Sequence, residues 1–286
     1  MGKDINLNYC QNKNFGDELS PYLIEKITNK RVIHFTGKNK EGSLYAIGSI
    51  LTYEEIRSGA VIWGSGVMTS KALKLFPYLF PLNRTMPKLI QRLKENKQVN
   101  CDVRLIRGKL SRNLLIKEGV NCPEIFGDPA VLVRRFYMPS ESVEPKYNFG
   151  LICHKSHEGL IDRNEVQRRG GVLISIQRQG REELEKFILE VNSCRKIYSS
   201  SLHGLMMGHV YGVPAQWIQI KNKKIHREQE FKFYDYFSGV GIAEERPIII
   251  DNDSISSLKD FRPRKIFIDE NILERVFSSF PTECFS

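Results

Sequence analysis

The segment "SSSLHGLMMG" at positions 199–208 sets His203 between three hydroxyl side chains and an apolar, small-residue stretch of helical character. Imidazole is the side chain whose ordinary pKa lies in the physiological range, so it can give or take a proton there. A helix capped by Ser200 or Ser201 places His203 in its first turn, where the helix dipole and free N–H groups favour an anion. Ser201 and Gly204 flank the imidazole as candidate ligand contacts, and Gly204 and Gly208, four residues apart on one face, also suit close backbone packing against the sheet. A buried, hydrogen-bonded histidine is the competing structural reading. The strand-end position, the helix start and the hydroxyls together favour an anion-handling site.

Other segments add compatible chemistry. In "VRLIRGKLSRNLL", Arg107 stands directly before Gly108 and a helix start that Ser111 is expected to cap, a combination suited to a carboxylate or phosphate. Arg104 and Lys109 read as a solvated basic face. In "GLICHKSHEG", Cys153, His154 and His157 lack a fourth ligand at recognisable spacing, and Lys155 would repel a cation, so no metal is expected. His154, Lys155 and Ser156 read instead as donors to a phosphate or diphosphate. "AIGSIL" and "IWGSGVM" place Gly48, Gly64 and Gly66 at strand ends, where backbone N–H groups can approach a ligand, with Gly64 and Ser65 as candidate contacts. Neither segment forms the dinucleotide fingerprint GxGxxG. Asp17, in "NKNFGDELSP", is a candidate to orient or deprotonate a hydroxyl; the alternative is that Asp17 or Ser20 caps the next helix. "EFKFYDYF" at 230–237 reads as a packing strand or aromatic edge, with Lys232 and Asp235 as its polar exceptions.

These loops need a scaffold. Short apolar runs alternate with helical stretches, which predicts an α/β fold with mainly parallel strands. "RVIHF", "LYAIGSIL", "AVIWGSG" and "CDVRLIRG" are strand candidates in the first half, with helices at "SPYLIEKIT" and "LSRNLLIKEG". "NFGLICH", "GVLISI", "KIYSS" and "AQWIQI" are strands of the second, with helices at "REELEKFILEVNSC" and "LHGLMMGHVYG". Leu184, Phe187, Ile188 and Val191 share one helical face. The aperiodic, proline-containing stretch near 136–147 reads as a linker. Two Rossmann-like halves facing a cleft, residues 1–140 and 141–286, are the simplest arrangement, and ligands in such sheets sit beyond the carboxyl ends of the strands.

Composition narrows the partners. The 286 residues are 41% hydrophobic and 27% charged, an ordinary globular balance, with a net charge of +10. The basic residues are spread along the chain instead of forming one aromatic-interleaved patch, so nucleic acid is not an expected partner. Phosphorylated small molecules or an anionic membrane surface account for the charge equally well. No apolar run reaches the ~18 residues of a membrane span, and "MGKDINLNYC" lacks the apolar core of a signal peptide. The six cysteines form no CxxC pair and read as reduced thiols. A cytoplasmic location is expected.

Taken in order, "NFGDELSPYLIEKI", "GSIL", "WGSG", "RGKLSRNLL", "GDPAVL", "SSSLHGLMMGHVYGVPAQW" and "KFYDYF" resemble the polysaccharide pyruvyl transferase family, from about residue 12 to about residue 240. The resemblance implies a fold like the two-lobed GT-B glycosyltransferases, with the acceptor side in the first domain and the donor side in the second. The C-terminal tail would pack back on the first domain. It implies transfer of the pyruvyl group of phosphoenolpyruvate to a saccharide, forming a ketal with release of phosphate, with no cofactor. The acceptor would be a surface polysaccharide or an activated, lipid-linked precursor, which would bring the protein to the inner face of the membrane. By motif match, Arg107 and Lys232 anchor the donor, His203 binds or protonates it, Asp17 is the acceptor-side base, and His154 matches a loop histidine of relatives. Lys221, Lys223 and Lys224 are alternatives to Lys232. The rival reading is a GT-B-like glycosyltransferase with a nucleotide-sugar donor; a non-catalytic polyanion-binding module is the rival from a different class.

Overall fold

The computed structural model describes residues 4–35, 41–52, 55–68, 99–139, 144–221, 229–243, 245–251, 255, 258 and 261–285. Its strands are β1 (Ile5–Asn8), β2 (Val32–His34), β3 (Leu44–Tyr45), β4 (Val61–Trp63), β5 (Asp102–Leu105), β6 (Phe149–Ile152), β7 (Gly171–Ile174), β8 (Ile197–Ser199), β9 (Ala215–Ile220) and β10 (Ile248–Ile250). The helices are α1 (Phe15–Thr28), α2 (Lys109–Lys117), α3 (Val133–Phe136), α4 (Arg163–Arg168), α5 (Arg181–Asn192), α6 (Leu202–Tyr211), α7 (Phe231–Val240) and α8 (Glu270–Ser278). They frame two five-stranded sheets, ordered β2-β1-β3-β4-β5 and β10-β9-β8-β6-β7, and every strand pairing is parallel. Parallel strands need helical crossovers that cover both faces, which is why β4, β6 and β8 read as continuous apolar runs and are buried throughout.

β1 was not among the strands expected, although Ile5 and Leu7 alternate with Asn6 and Asn8 and are wholly buried. α1 begins at Phe15, more than a turn before the expected start. Asn14 caps it, its Oδ1 accepting from the Gly16 N–H at 3.0 Å. Asp17 and Ser20 are therefore interior to the helix, and neither is the cap. Asn29 closes the helix in the left-handed region at φ 52°. α2 is a second correction: Gly108 occupies its cap position, and Ser111 lies inside the helix with its hydroxyl turned to other work.

The largest correction concerns "EFKFYDYF", which forms helix α7 and not a strand. Aromatics at 231, 233, 234, 236 and 237 fit either period over so short a run. What decides is burial of Phe233, Tyr236, Phe237 and Val240, spaced i, i+3, i+4 and i+7, against the second sheet. Trp217 of β9 stacks on Phe233 with centroids 4.3 Å apart. Gly241, at φ 72°, ends the helix by donating its N–H to Phe237 O.

One continuous core runs through both lobes, from Ile5, Leu7 and Trp63 to Phe187, Met206 and Trp217. Phe15 of α1 stacks on Phe187 of α5 at 4.2 Å. Each such fully buried aromatic stabilises the junction by about 2–3 kcal/mol relative to exposure. α8 passes under the first sheet, where Trp63 Nε1 donates to Val276 O at 3.2 Å and Phe280 meets the indole edge-on at 4.9 Å. The start of the expected linker is structural: Phe136 ends α3, in which buried Arg134, just before that stretch, donates to Val210 O at 3.0 Å and pairs with Glu270 at 2.6 Å. Residues 140–143 of that stretch lie outside the described residues.

Candidate active site

The loops that follow the strands of both sheets open into one cavity of about 230 Å³. The loop after β1 supplies Cys10, Asn12 and Asn14, and α1 adds Asp17. The loops after β3 and β5 supply Gly48, Ser49, Ile50 and Arg107, and Met68 closes one wall. From the second lobe come His154 and Lys155 after β6, Ser201 and His203 at the start of α6, and Lys232 at the start of α7. This is the carboxyl-end location that open α/β sheets favour for ligands.

The three serines before His203 divide the work of the turn. Ser199 Oγ accepts from the Ser201 N–H at 3.1 Å and donates to Ser201 O at 2.7 Å, which shapes the step into α6. Ser200 Oγ accepts from the His154 N–H at 3.0 Å and ties the two second-lobe loops together. Ser201 occupies the cap position without a side-chain capping bond and faces the cavity. His203, the second residue of α6, crosses to the other lobe: a Cβ at Gly16 would lie 1.9 Å from its Nδ1. Only glycine at position 16 lets the ring lie against the α1 backbone. His203 Nε2 is buried and has no hydrogen-bond partner among the described residues.

Burial, with repulsion from Lys232 and Arg107, holds the His203 pKa down at about 3, so the ring is neutral. Burial raises the Asp17 carboxyl to about 6, with Lys155 and Lys232 pulling it back and Glu18 pushing it up. Lys232 is depressed to about 8 by burial and by Arg107, against the attraction of Asp17. Arg107 is 1% exposed and paired across the lobes with Asp235, Nε to Oδ2 at 2.9 Å. Lys155 and Lys232 have no ion pair among the described residues.

The cavity brings together seven of the ten residues expected from the sequence: Asp17, Arg107, His154, Lys155, Ser201, His203 and Lys232. The other three are packed elsewhere. Gly64, at φ 92°, leaves its Cβ space to Pro129, and buried Ser65 donates to Ala46 O at 3.0 Å. Gly204 backs onto Ile152 and the Ser199 hydroxyl, so its role is close packing of α6 on the sheet. Lys221 pairs with Asp251 at 3.3 Å away from the cavity, while Lys223 and Lys224 lie outside the described residues. Among the described residues no group of three or more His, Cys, Asp or Glu is placed to hold a metal ion. Cys10, Asn12, Asn14 and Ser49 were not expected as site residues. The alternation of "INLN" was the available signal for the first three, since the loop after a strand of this fold is a ligand loop.

A sequence model described as polysaccharide pyruvyl transferase matches residues 14–222, most of the chain. The chain belongs to this family. It is also similar to an uncharacterized protein of Acanthamoeba polyphaga mimivirus, 25% identical over 269 residues that cover 91% of this chain and 84% of that one. Membership in a pyruvyl transferase family makes the chain an enzyme whose acceptor is a saccharide. Lys232 and Asp235 lie beyond the matched segment; α7 brings Lys232 to the cavity and Asp235 to Arg107. No helix among the described residues is long and apolar enough to cross a membrane.

Proposed function

We propose that the enzyme moves the pyruvyl group of phosphoenolpyruvate onto two hydroxyls of one sugar, giving a cyclic ketal and inorganic phosphate. The observation that carries this reading is the convergence of Arg107, Lys155 and Lys232 with His203 and Asp17 in one cavity between two lobes. The donor bears a carboxylate and a phosphate. The lysines without ion pairs, the Nη hydrogens of Arg107 not given to Ser49 or Val67, and the start of α6 suit those two anions.

The chemistry requires a proton at the methylene carbon of the enol, which develops oxocarbenium character at its neighbour. One sugar hydroxyl adds there, phosphate leaves with the enol oxygen, and a second hydroxyl closes the ring. Asp17, with a pKa near 6, accepts a hydroxyl proton. His203 is neutral in the free enzyme, and an arriving anion raises its affinity for a proton, which it can pass to the methylene carbon or keep in a bond to the phosphate. Cations fixed before the donor arrives stabilise the developing charge without reorganisation. A lipid-linked acceptor at an anionic bilayer fits the net charge of +10.

Calorimetric titration of the full chain with phosphoenolpyruvate tests the reading. Saturable binding that weakens by about 100-fold in Lys232→Met supports it, the scale of a misplaced or lost anchoring contact. No binding of phosphoenolpyruvate together with saturable binding of a nucleotide sugar would replace it with glycosyl transfer.

A further inference from the structure

Asp235 is fully buried and is not among the residues that line the cavity, yet it lies one helical turn beyond Lys232 on α7 and accepts three hydrogen bonds. Its Oδ2 accepts from Arg107 Nε at 2.9 Å and from Ser111 Oγ at 2.6 Å, and its Oδ1 accepts from the Ser111 N–H at 2.8 Å. Arg107 Nη1 donates to Ser49 Oγ at 2.6 Å, and Nη2 donates to Val67 O at 3.3 Å. Ser111 Oγ in turn accepts from the Val67 N–H at 3.0 Å. One carboxylate thus gathers the loop after β4, the start of α2 and the second-lobe helix α7.

The backbone leaves this pair no slack. A Cβ at Gly66 would fall 2.2 Å from the Arg107 guanidinium carbon, one at Gly108 would fall 1.8 Å from Asp235 O, and one at Gly239 would fall 1.9 Å from Arg107 O. Gly66 lets the main chain lie against the guanidinium, while Gly108 and Gly239 let the main chains that carry Arg107 and Asp235 approach each other. A buried ion pair is a weak way to gain stability, because the cost of desolvation offsets much of the attraction and apolar packing serves as well. What the pair does supply is direction: with Nε taken by Asp235, the Nη end is left to reach Ser49, which lines the cavity together with Arg107.

We infer that Asp235 is a positioning residue for the donor site. It acts through Arg107, whose guanidinium it aims at an anionic group in the cavity. The inference rests on the cavity being the phosphoenolpyruvate site, and the experiment separates the two. A double-mutant cycle measures phosphoenolpyruvate affinity in the full chain for wild type, Asp235→Asn, Arg107→Gln and the pair. Asp235→Asn is expected to weaken binding by about 100-fold, and to change it by less than about 3-fold when Arg107 is already Gln, because coupled residues do not add. Equal losses in both backgrounds would overturn the inference.

Asp235→Asn can also loosen the fold, so the Arg107 Nε–H resonance is followed by ¹⁵N NMR under native conditions. It is expected to be protected from exchange in the wild type and averaged with the exposed arginines in Asp235→Asn. A resonance indifferent to that substitution refutes positioning even where affinity falls. If the wild type binds no phosphoenolpyruvate, the donor reading fails, and the guanidinium spectra alone decide whether Asp235 positions Arg107.

Discussion

Arg178 and Lys232 are both cations at the junction of the two lobes, and the protein treats them in opposite ways. Arg178 is 7% exposed, pairs with Glu183 and Glu190, and lies over the Phe187 ring with its carbon 5.6 Å from the centroid. Its backbone N–H reaches across to Lys13 O at 2.9 Å. Lys232 also lies near a ring, its Nζ 5.7 Å from the Phe233 centroid, but it has no ion pair among the described residues, and burial with repulsion from Arg107 lowers its pKa to about 8. A structural cation is compensated inside the fold. A cation left uncompensated costs stability in the free protein and regains it when an anion arrives, and the same contrast separates satisfied Ser65 from orphaned His203 Nε2.

The sharpest way to break the comparison is at the orphaned imidazole. His203→Ala is expected to lower turnover by about 10³-fold, the scale for losing one preorganised group at the reacting centre. Gly16→Ala should reproduce that loss with His203 itself unchanged, because its Cβ displaces the imidazole, and should also cost about 1–3 kcal/mol as overpacking. Steady-state kinetics and thermal melts of both variants check this. Normal turnover in Gly16→Ala would show that the ring need not lie where it does.

The second test exchanges the two cations for an apolar side chain of similar length. Lys232→Met should bind phosphoenolpyruvate about 100-fold more weakly yet gain about 1–3 kcal/mol at neutral pH. Arg178→Met should bind normally and lose about 1–3 kcal/mol, less than for a wholly buried pair because its glutamates are partly exposed. Matched denaturation curves and titrations decide it, and a loss of stability in both variants would erase the distinction.

A third expectation follows the protons. Lys232 has a depressed pKa, so the folded protein gains stability from this group as pH rises from about 8 toward the ordinary lysine range, and loses it as pH falls through about 8. Asp17 has a raised pKa, so its contribution is fully present only below about pH 4 and is lost as pH rises through about 6. In kinetics, kcat/KM should rise through about pH 6 as Asp17 becomes a base and fall above about pH 8 as Lys232 loses its charge. The limb near pH 6 should vanish from the residual activity of Asp17→Asn; its persistence there would assign it to another group.

The smallest effect is expected from a fully satisfied serine. Ser65→Ala removes the bond to Ala46 O and should cost about 1 kcal/mol while changing kcat/KM less than about twofold. A tenfold loss of activity with unchanged stability would return Ser65 to the ligand side of the comparison.

The sequence by itself determined what depends on neighbours a few positions apart. The apolar runs of β4 to β9 announce a parallel α/β fold, and the spacing of Leu184, Phe187, Ile188 and Val191 announces the buried face of α5. The placement of His203 in the first turn of a helix, and the ordered motifs shared with the pyruvyl transferases, are legible in the same way. Only the tertiary structure decided what depends on distant groups. It made a helix of the aromatic run at 231–237, because burial against Trp217 selected one of two periods that so short a segment satisfies. It gave the α1 cap to Asn14, which left Asp17 free to line the cavity. It joined Arg107 to a carboxylate 128 positions away and left Lys155 and Lys232 in the cavity with no ion pair among the described residues. Charge, desolvation and pairing act through space, and no local pattern of residue types records which distant side chain the fold will bring alongside.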